Sequence, residues 1–268
     1  MAKFNQTYST DLKYTEWQEI MEFFPSSKRG RPLKWKKWQI INAIFYVNRT
    51  GCQWRNLPVD FPPWRTVHFY YWRWQRDGMW QQINERLAKK VRKKAGRHEQ
   101  PSAAIIDSQS VKTSEGGEER GIDVHKQTPG RKRHLVVDIL GLVLLVVAHS
   151  ASIQDGAGGL LTLQKLFDRI KHNLHNRWCR LRLIWADGGY PSIIEAVHQR
   201  FGWTLQIVKR SDDIKGFQVL PHRWVVERTF GWLGRYRRLA RDYEHTTLSS
   251  ESMVYIASTR RMLKLLAS

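Results

Sequence analysis

Apolar residues follow two different patterns along the chain. Over the first hundred residues they recur at three- and four-residue intervals, which is the spacing of an amphipathic helix. Pro25, Gly51 and Gly78 interrupt this spacing at points where helices should end. The pattern predicts four helices, over residues 11–24, 34–49, 64–77 and 79–94.

The rest of the chain alternates short apolar runs with helical spacing. The runs are rich in β-branched residues and predict strands over residues 103–107, 134–140, 142–150, 181–186 and 203–209. Helices are predicted over 156–173, 191–201, 221–242 and 249–267. The polar, glycine-containing stretch Gln109–Arg133 is predicted to be a loop or flap. This order indicates an α/β fold with a mixed five-stranded sheet flanked by helices.

The change of pattern predicts a domain boundary between residues 98 and 99. Residues 1–98 would form an all-α domain, and residues 99–268 would form the α/β domain. The second and third helices could form a helix-turn-helix unit, although Gly51–Pro63 is a far longer connection than that motif has. A plain helical bundle is the alternative.

The overall charge favours a polyanionic partner. With 45 Lys and Arg against 24 Asp and Glu, the 268 residues carry a formal charge of +21. The first hundred residues hold 20 of these cations against 8 acids, together with 8 of the 13 Trp. An excess of this size is typical of nucleic-acid binding. A structural RNA-binding protein would account for the same charge.

Other classes of protein are disfavoured by what the sequence lacks. No run of about 18 apolar residues could span a membrane, and the start Met1–Gln6 lacks the apolar segment of a signal peptide. We therefore expect a cytoplasmic protein with no membrane partner. Cys52 and Cys179 form no CxxC pair, so neither a disulfide framework nor a cysteine zinc site is expected.

A short basic segment joins the first two predicted helices. In Lys28–Pro32, Arg29 and Arg31 flank a glycine, and such a segment can lie extended in an A·T-rich minor groove. A basic loop that does not contact DNA is the alternative reading.

Two aspartates lie where a metal-dependent nuclease would need them. Asp107 and Asp187 each end a predicted strand, and ligand-binding groups of α/β sheets gather just beyond strand ends. The pair Gly188-Gly189 leaves room beside the second aspartate. Either aspartate alone could merely cap a turn.

Glu227 is distinguished by its surroundings. It is the one acid in residues 222–241, which hold six arginines. An ion pair with Arg223 or Arg228 would be a purely structural use of this carboxylate. As a metal ligand, it would be kept ionised by the neighbouring cations. Flanking phosphates could then be held by the arginines on this helix, namely Arg223, Arg228, Arg235 and Arg238.

Three such carboxylates suit the hydrolysis of a phosphodiester. Two Mg²⁺ ions about 4 Å apart would activate a water molecule and neutralise the leaving oxygen, and Mn²⁺ is expected to substitute. Ser108 and Ser110 raise the alternative of a nucleophilic serine, but no base is evident nearby. His134 and His149 favour structural or phosphate-contacting roles over zinc binding.

Several motifs occur together and in a fixed order. They are Gly51-Cys52-Gln53-Trp54-Arg55, Phe61-Pro62-Pro63-Trp64, Asp107-Ser108-Gln109-Ser110-Val111-Lys112, Gly130-Arg131-Lys132-Arg133-His134, Ala186-Asp187-Gly188-Gly189-Tyr190 and Arg223-Trp224-Val225-Val226-Glu227-Arg228. Through them the chain resembles the DDE transposases of bacterial insertion sequences, specifically the insertion-sequence-five group, over nearly its whole length.

The resemblance implies an RNase H-like catalytic domain with an N-terminal all-α DNA-binding domain. It gives the roles of catalytic residue and metal ligand to Asp107, Asp187 and Glu227. The chain departs from the family pattern around the glutamate, since Leu220 replaces a Tyr and Gly234 replaces a Lys. Arg235 or Arg238 is then expected to take the place of that lysine.

The implied activity is that of a nucleoid-associated transposase. It would bind the terminal inverted repeats as a homodimer on paired ends of double-stranded DNA, cleave to expose 3′-hydroxyls, and join them to target DNA. A domesticated DNA-binding regulator without transposition activity is the alternative. The expected DNA contacts are Arg29, Arg31, Arg65, His68, Arg73, Arg131, Lys132, Arg133, Arg223, Arg228, Arg235 and Arg238.

Overall fold

The computed structural model describes residues 7–25, 34–114, 116–172, 180–208 and 221–267. Arg29 and Arg31 lie outside the described residues, as does the side chain of Arg223. The chain folds into two units. We call them the helical unit (Met1–Ala95, Leu233–Ala240 and Ser252–Ser268) and the sheet unit (Gly96–Trp232 and Arg241–Glu251).

The described helices occur in both units. In chain order they are α1 (Tyr14–Gln18), α2 (Lys37–Thr50), α3 (Trp64–Arg76), α4 (Met79–Lys94), α5 (Asp155–His172), α6 (Ile194–Phe201), α7 (Pro221–Gly234), α8 (Arg237–Ala240) and α9 (Thr247–Ala267). Short 3-10 turns lie at Met21–Phe23, Trp54–Asn56 and Pro191–Ile193. Within the described residues, no helix is long and apolar enough to cross a membrane.

The helix expected over residues 221–242 is divided in two. It ends at Gly234, and α8 is a separate short helix. Glycine favours such an ending because it lowers helix propensity. The N–H of Tyr236 then bonds to the carbonyl of Leu233 in a tight turn instead of continuing the helix.

Aromatic rings form much of the interior of the helical unit. The Phe24 ring lies 4.6 Å from Trp74 and 6.4 Å from Trp80, and Phe45 lies 6.3 Å from Trp80. The end of the chain belongs to the same unit, because Arg260 on α9 forms an ion pair of 2.7 Å with Glu16 on α1. The sequence pattern did not predict that a C-terminal segment folds with the N-terminal helices.

Among the described residues, the sheet unit contains six strands. They are β1 (Ala103–Lys112), β2 (Gly121–Asp123), β3 (Thr128–Asp138), β4 (Val143–Ser150), β5 (Leu183–Ala186) and β6 (Thr204–Ile207). β1 is antiparallel to β3 and parallel to β5, and β5 is parallel to β6. Both β2 and β4 pair antiparallel with β3, along different stretches of it. The expected mixed sheet flanked by helices is confirmed, with one more strand than the five expected.

The expectation of a loop over Gln109–Arg133 is wrong for much of that stretch. β1 continues to Lys112 because Gln109–Lys112 pair with Gly130–Arg133 of β3. The side chains here are polar, so the alternation of apolar residues did not reveal the strands. At Gly130, an added Cβ would lie 2.1 Å from the carbonyl oxygen of Val111, and only glycine fits.

Buried charged side chains stabilise this extended pairing of β1 with β3. The Arg131 side chain is 0% exposed, and it donates hydrogen bonds to the backbone carbonyls of Glu118, Glu244 and His245. The Asp242 carboxylate, also 0% exposed, lies 3.5 Å from both Arg131 and Arg133. Burial lowers the pKa of Arg133, and the charge of Asp242 opposes this effect.

Replacing Asp242 by Ala should strongly destabilise the sheet unit, because two buried guanidinium groups would lose their shared carboxylate. Breaking a buried pair typically costs about 3–5 kcal/mol. Denaturant unfolding would measure the loss, with Glu195→Gln, a change on the exposed surface of α6, as the matched control. A free energy of unfolding for Asp242→Ala equal to that of the control would contradict this account.

Candidate active site

Asp107 and Asp187 lie at the same level of two neighbouring parallel strands. Ile105 of β1 is opposite Trp185 of β5, and each aspartate follows two residues later. Both side chains are half-buried. Asp107 does not end its strand, as the sequence had suggested, but lies in the middle of β1 just beyond the end of its pairing with β5.

The turn after β5 has little room for a side chain at Gly189, two residues after Asp187. The Asp187 Oδ1 atom accepts a hydrogen bond of 2.9 Å from the N–H of Gly189. An added Cβ at Gly189 would lie 3.2 Å from this oxygen and 3.4 Å from the Cβ of Asp155. The glycine therefore allows Asp187 and Asp155 to approach the same point.

Asp155, which the sequence analysis did not single out, is the first residue of α5. Its Oδ1 accepts a hydrogen bond of 2.8 Å from Ser108, the neighbour of Asp107, and lies 2.9 Å from Lys132 Nζ. Its position at a predicted helix start was the one signal in the sequence. That position is typical of a capping residue and gave no reason to expect a place in the site.

Lys132 is a buried cation shared by two carboxylates. Its side chain is 4% exposed, and its Nζ lies 3.3 Å from Asp123 and 3.0 Å from the carbonyl of Ile153. Burial alone would raise the pKa of Asp123, but hydrogen bonds from Ser110 and Lys126 and the charge of Lys132 lower it to about 2. The pKa of Asp155 is also lowered, since Lys132 and Ser108 outweigh the effect of burial. Both acids are therefore ionised at neutral pH.

Tyr190 is a buried residue near Asp107, Asp155 and Asp187. Its side chain is 0% exposed, and its hydroxyl has no hydrogen-bond partner of normal geometry among the described residues, although Ser108 lies near it. Burial, followed by the charges of Asp107, Asp155 and Asp187, raises the pKa of Tyr190 well above its usual value. One neutral phenol is thus close to all three aspartates.

Two histidines form a neutral pair beneath α5. The Nδ1 of His134 lies 2.8 Å from the Nε2 of His149, and the Nε2 of His134 lies 3.2 Å from the carbonyl of Asp155. Burial, together with the neighbouring His149, lowers the pKa of His134 to about 3. An added Cβ at Gly158 would lie 2.5 Å from His149, so this glycine lets α5 pack closely here. The burial of both rings favours a structural role over contact with phosphate.

Glu227 is exposed on α7. Its helix is fixed to the turn between β3 and β4, where Thr229 donates a hydrogen bond of 3.2 Å to the carbonyl of Gly141. Across the described part of the chain, no three His, Cys, Asp or Glu side chains are placed to hold a metal ion together. The structure places Asp107 and Asp187 level with each other, with Asp155 close to the turn after Asp187, and the metal-ligand roles of Asp107, Asp187 and Glu227 stay predictions.

The motif Gly130–His134 does not present its cations to solvent. The side chains of Arg131, Lys132 and Arg133 are at most 4% exposed, and all three are held by protein acceptors. The expectation that they contact DNA is therefore wrong for this structure, because their donors bind interior carbonyls, carboxylates and a serine hydroxyl.

The remaining expected DNA contacts differ in exposure. Arg238 is 8% exposed and lies 3.5 Å from the carbonyl of Cys52, which argues against a phosphate contact. The guanidinium of Arg228 lies 4.6 Å from the ring centroids of both Trp224 and Trp232. Solvent reaches the other four described side chains, which are those of Arg65, His68, Arg73 and Arg235.

Comparisons with known proteins match this chain to transposases. The family model "Transposase DDE domain" matches residues 98–257, and "Putative transposase of IS4/5 family" matches residues 12–84. A protein of Burkholderia cepacia named "Putative transposase for insertion sequence element IS402" is 31% identical over 116 residues, covering 43% of this chain and 54% of the relative. An uncharacterised protein of Sinorhizobium fredii, y4sN, is 30% identical over 78 residues, covering 29% of this chain and 60% of the relative.

The chain thus spans between half and two thirds of the length of these curated relatives. No solved structure matches it significantly. The mixed sheet flanked by helices is consistent with the RNase H-like fold of a DDE domain. Because the DDE model covers more than half of the chain, the protein belongs to the DDE transposases of the IS4/5 type.

Proposed function

We propose that this chain is a DNA transposase that binds the terminal inverted repeats of its element, cleaves the DNA and joins the exposed 3′-hydroxyls to target DNA. The observation that carries the proposal is the pair Asp107 and Asp187, level on neighbouring parallel strands inside the region that matches the DDE domain. The formal charge of +21 supports a polyanionic substrate.

The donor chemistry of the site fits a divalent metal. Asp107 and Asp187 supply carboxylate oxygens, which are the ligands that Mg²⁺ prefers, and both are accessible to solvent. We expect them to hold two Mg²⁺ ions, or Mn²⁺ in their place, with Glu227 as the third carboxylate. Held by these carboxylates, the ions would supply Lewis-acid activation of the attacking oxygen and charge stabilisation of the leaving oxygen.

The other side chains of the site prepare it for this chemistry. Gly188 and Gly189 leave space beside Asp187 for a phosphodiester backbone, since an added Cβ at Gly188 would meet nothing within 4 Å. The Tyr190 side chain beside them is fully buried. Exposed Arg235 is a candidate for the basic residue that stands in for the family lysine.

The assembly expected on DNA is a homodimer with one copy on each end. A transposition event joins two ends, so each copy would cleave one end and hold it for strand transfer. We expect this complex in the cytoplasm, associated with the nucleoid. The competing function, a DNA-binding regulator without cleavage activity, needs none of the three carboxylates.

The variants Asp107→Asn, Asp187→Asn and Glu227→Gln should each lower DNA cleavage at least about a hundredfold, because each removes a negative ligand without changing size. Cleavage of a duplex that carries the element's end would be assayed beside binding of the same duplex, which should persist. Glu195→Gln is the control. Cleavage by Asp107→Asn at the parent rate would rule out this assignment.

Removing divalent metal with a chelator should abolish cleavage by the parent protein, because the carboxylates alone supply no Lewis acid. Adding Mg²⁺ or Mn²⁺ should restore cleavage. Gel analysis of an end-bearing duplex would follow both steps. Specific binding without nicking in either metal would favour the regulator instead.

A further inference from the structure

Helix α3 has one face made entirely of basic and aromatic side chains. Its exposed residues recur at three- and four-residue intervals, so they form a continuous stripe. We call this stripe the α3 face, and it consists of Arg65, His68, Phe69, Trp72, Arg73 and Arg76. No acidic residue occurs in α3. The opposite side, with Val67, Tyr71 and Trp74, is buried in the helical unit.

Two large aromatic side chains in this stripe are left outside the core. Phe69 is 51% exposed and Trp72 is 45% exposed. The guanidinium of Arg76 lies 4.5 Å from the Trp72 ring centroid, which holds a cation against an aromatic face. A stripe that combines exposed rings with arginines is complementary to a ligand that is both anionic and rich in flat apolar groups.

We propose that the α3 face lies in the major groove of duplex DNA, with Phe69 and Trp72 against base edges and the arginines on phosphates. The proposal rests on the proposed function only for the choice of DNA as partner. From Arg65 to Arg76 the helix rises about 16 Å, which is about five base pairs. The major groove admits an α-helix, and aromatic side chains contact the thymine methyl group there.

Charge argues for DNA over a second copy of the chain. Two α3 faces brought together across a two-fold axis would set the three arginines and one histidine of each copy against those of the other, since the nearby acid Asp77, 3.9 Å from Arg73, lies at the end of the helix. The phosphate backbone instead supplies charges of the opposite sign along the whole stripe.

A photochemical crosslink would test the proposal without knowledge of the inverted repeat. The full chain would be irradiated with a pool of random-sequence duplexes that carry 5-iodouracil in place of thymine, because the iodine occupies the position of the methyl group. Tryptic mass spectrometry should find the adduct on the peptide Thr66–Arg73. Phe69→Ala and Trp72→Ala should lower its yield about tenfold, and Tyr14→Ala, which removes an aromatic residue 57% exposed on α1, should not.

Several results would overturn the proposal. They are adducts confined to other peptides, a yield unchanged in both variants, or stronger crosslinking to single-stranded than to duplex pools. The proposal would also fail if Phe69→Ala and Trp72→Ala bound duplex DNA like the parent but no longer bound vesicles of anionic lipid. Asp107→Asn should crosslink like the parent. A protein that cleaves DNA but forms no α3 adduct would refute this inference alone, whereas an adduct without cleavage would refute the proposed function alone.

A second, independent observation concerns Lys132, the buried cation of the Gly130–His134 motif. Through Asp155 and Asp123 it is linked to Ser108 and Ser110, two residues of β1 that follow Asp107. Asp155 also approaches Gly189, two residues after Asp187. The ion pair of Lys132 with Asp155 therefore connects the strand that carries the first site aspartate to the turn that carries the second.

We infer that Lys132 is a positioning residue that sets the separation between Asp107 and Asp187 for metal binding. It acts through Asp155, whose Oδ1 lies 2.9 Å from the lysine Nζ. If the proposed metal chemistry is correct, loosening this link should raise the Mg²⁺ concentration needed for half-maximal cleavage. A residue that served stability alone would lower the melting temperature and leave that concentration unchanged.

The test compares Lys132→Met and Lys132→Arg with Lys112→Met, which removes an exposed lysine of β1. Lys132→Met should raise about tenfold both the Mg²⁺ concentration needed for half-maximal cleavage and the Mg²⁺ dissociation constant measured by calorimetry without DNA, and Lys132→Arg should recover part of both losses. Asp155→Asn keeps the size of the side chain and the hydrogen bond from Ser108, and it should also raise the Mg²⁺ concentration needed for half-maximal cleavage. This variant provides the test if Lys132→Met does not fold. An unchanged Mg²⁺ dependence in Asp155→Asn would refute the inference, and cleavage by the parent without metal would refute the proposed function instead.

Discussion

Strand β1 is hydrogen-bonded on both edges, antiparallel to β3 and parallel to β5, and the surroundings of Asp107 depend on this pairing. The parallel register with β5 brings Asp187 to the level of Asp107. The antiparallel register with β3 places Lys132 opposite Ser110 and His134 opposite Ser108. A shift of one residue in either register would turn every side chain of one strand to the other face. The site would then be lost without any change in its residues.

The chain uses its basic residues in two physically different ways. In the sheet unit, Arg131, Lys132 and Arg133 are buried and satisfied by carbonyls and carboxylates, so they stabilise the ribbon of β1 and β3. Leaving any of these charges unpaired in the interior would be costly, which explains why Asp123 and Asp242 lie beside them. In the helical unit, the arginines of α3 stay exposed and remain available to a partner. Net charge alone could not separate these uses.

The sequence predicted much of this protein where the pattern of apolar residues is strong. The helices around Phe45 and Trp80, the strand before Asp187 and the mixed sheet all follow from such patterns. The polar strands at Ser110 and Lys132 did not, because their stability comes from pairing across the sheet and from buried ion pairs between residues far apart in the chain. For the same reason Asp155 was missed, since its contacts with Ser108 and Lys132 exist only in the folded sheet unit.

We propose that Asp107 and Asp187 hold a divalent metal with Glu227 as the third carboxylate. Iron-directed backbone cleavage would measure this directly, because Fe²⁺ in such a site, with ascorbate and peroxide, cuts the chain only near its ligands. If these three carboxylates hold the metal, cuts should appear near residues 107, 187 and 227, Mg²⁺ should suppress them, and Asp107→Asn should remove them. Cuts at other places, or the same cuts in Asp107→Asn, would contradict it.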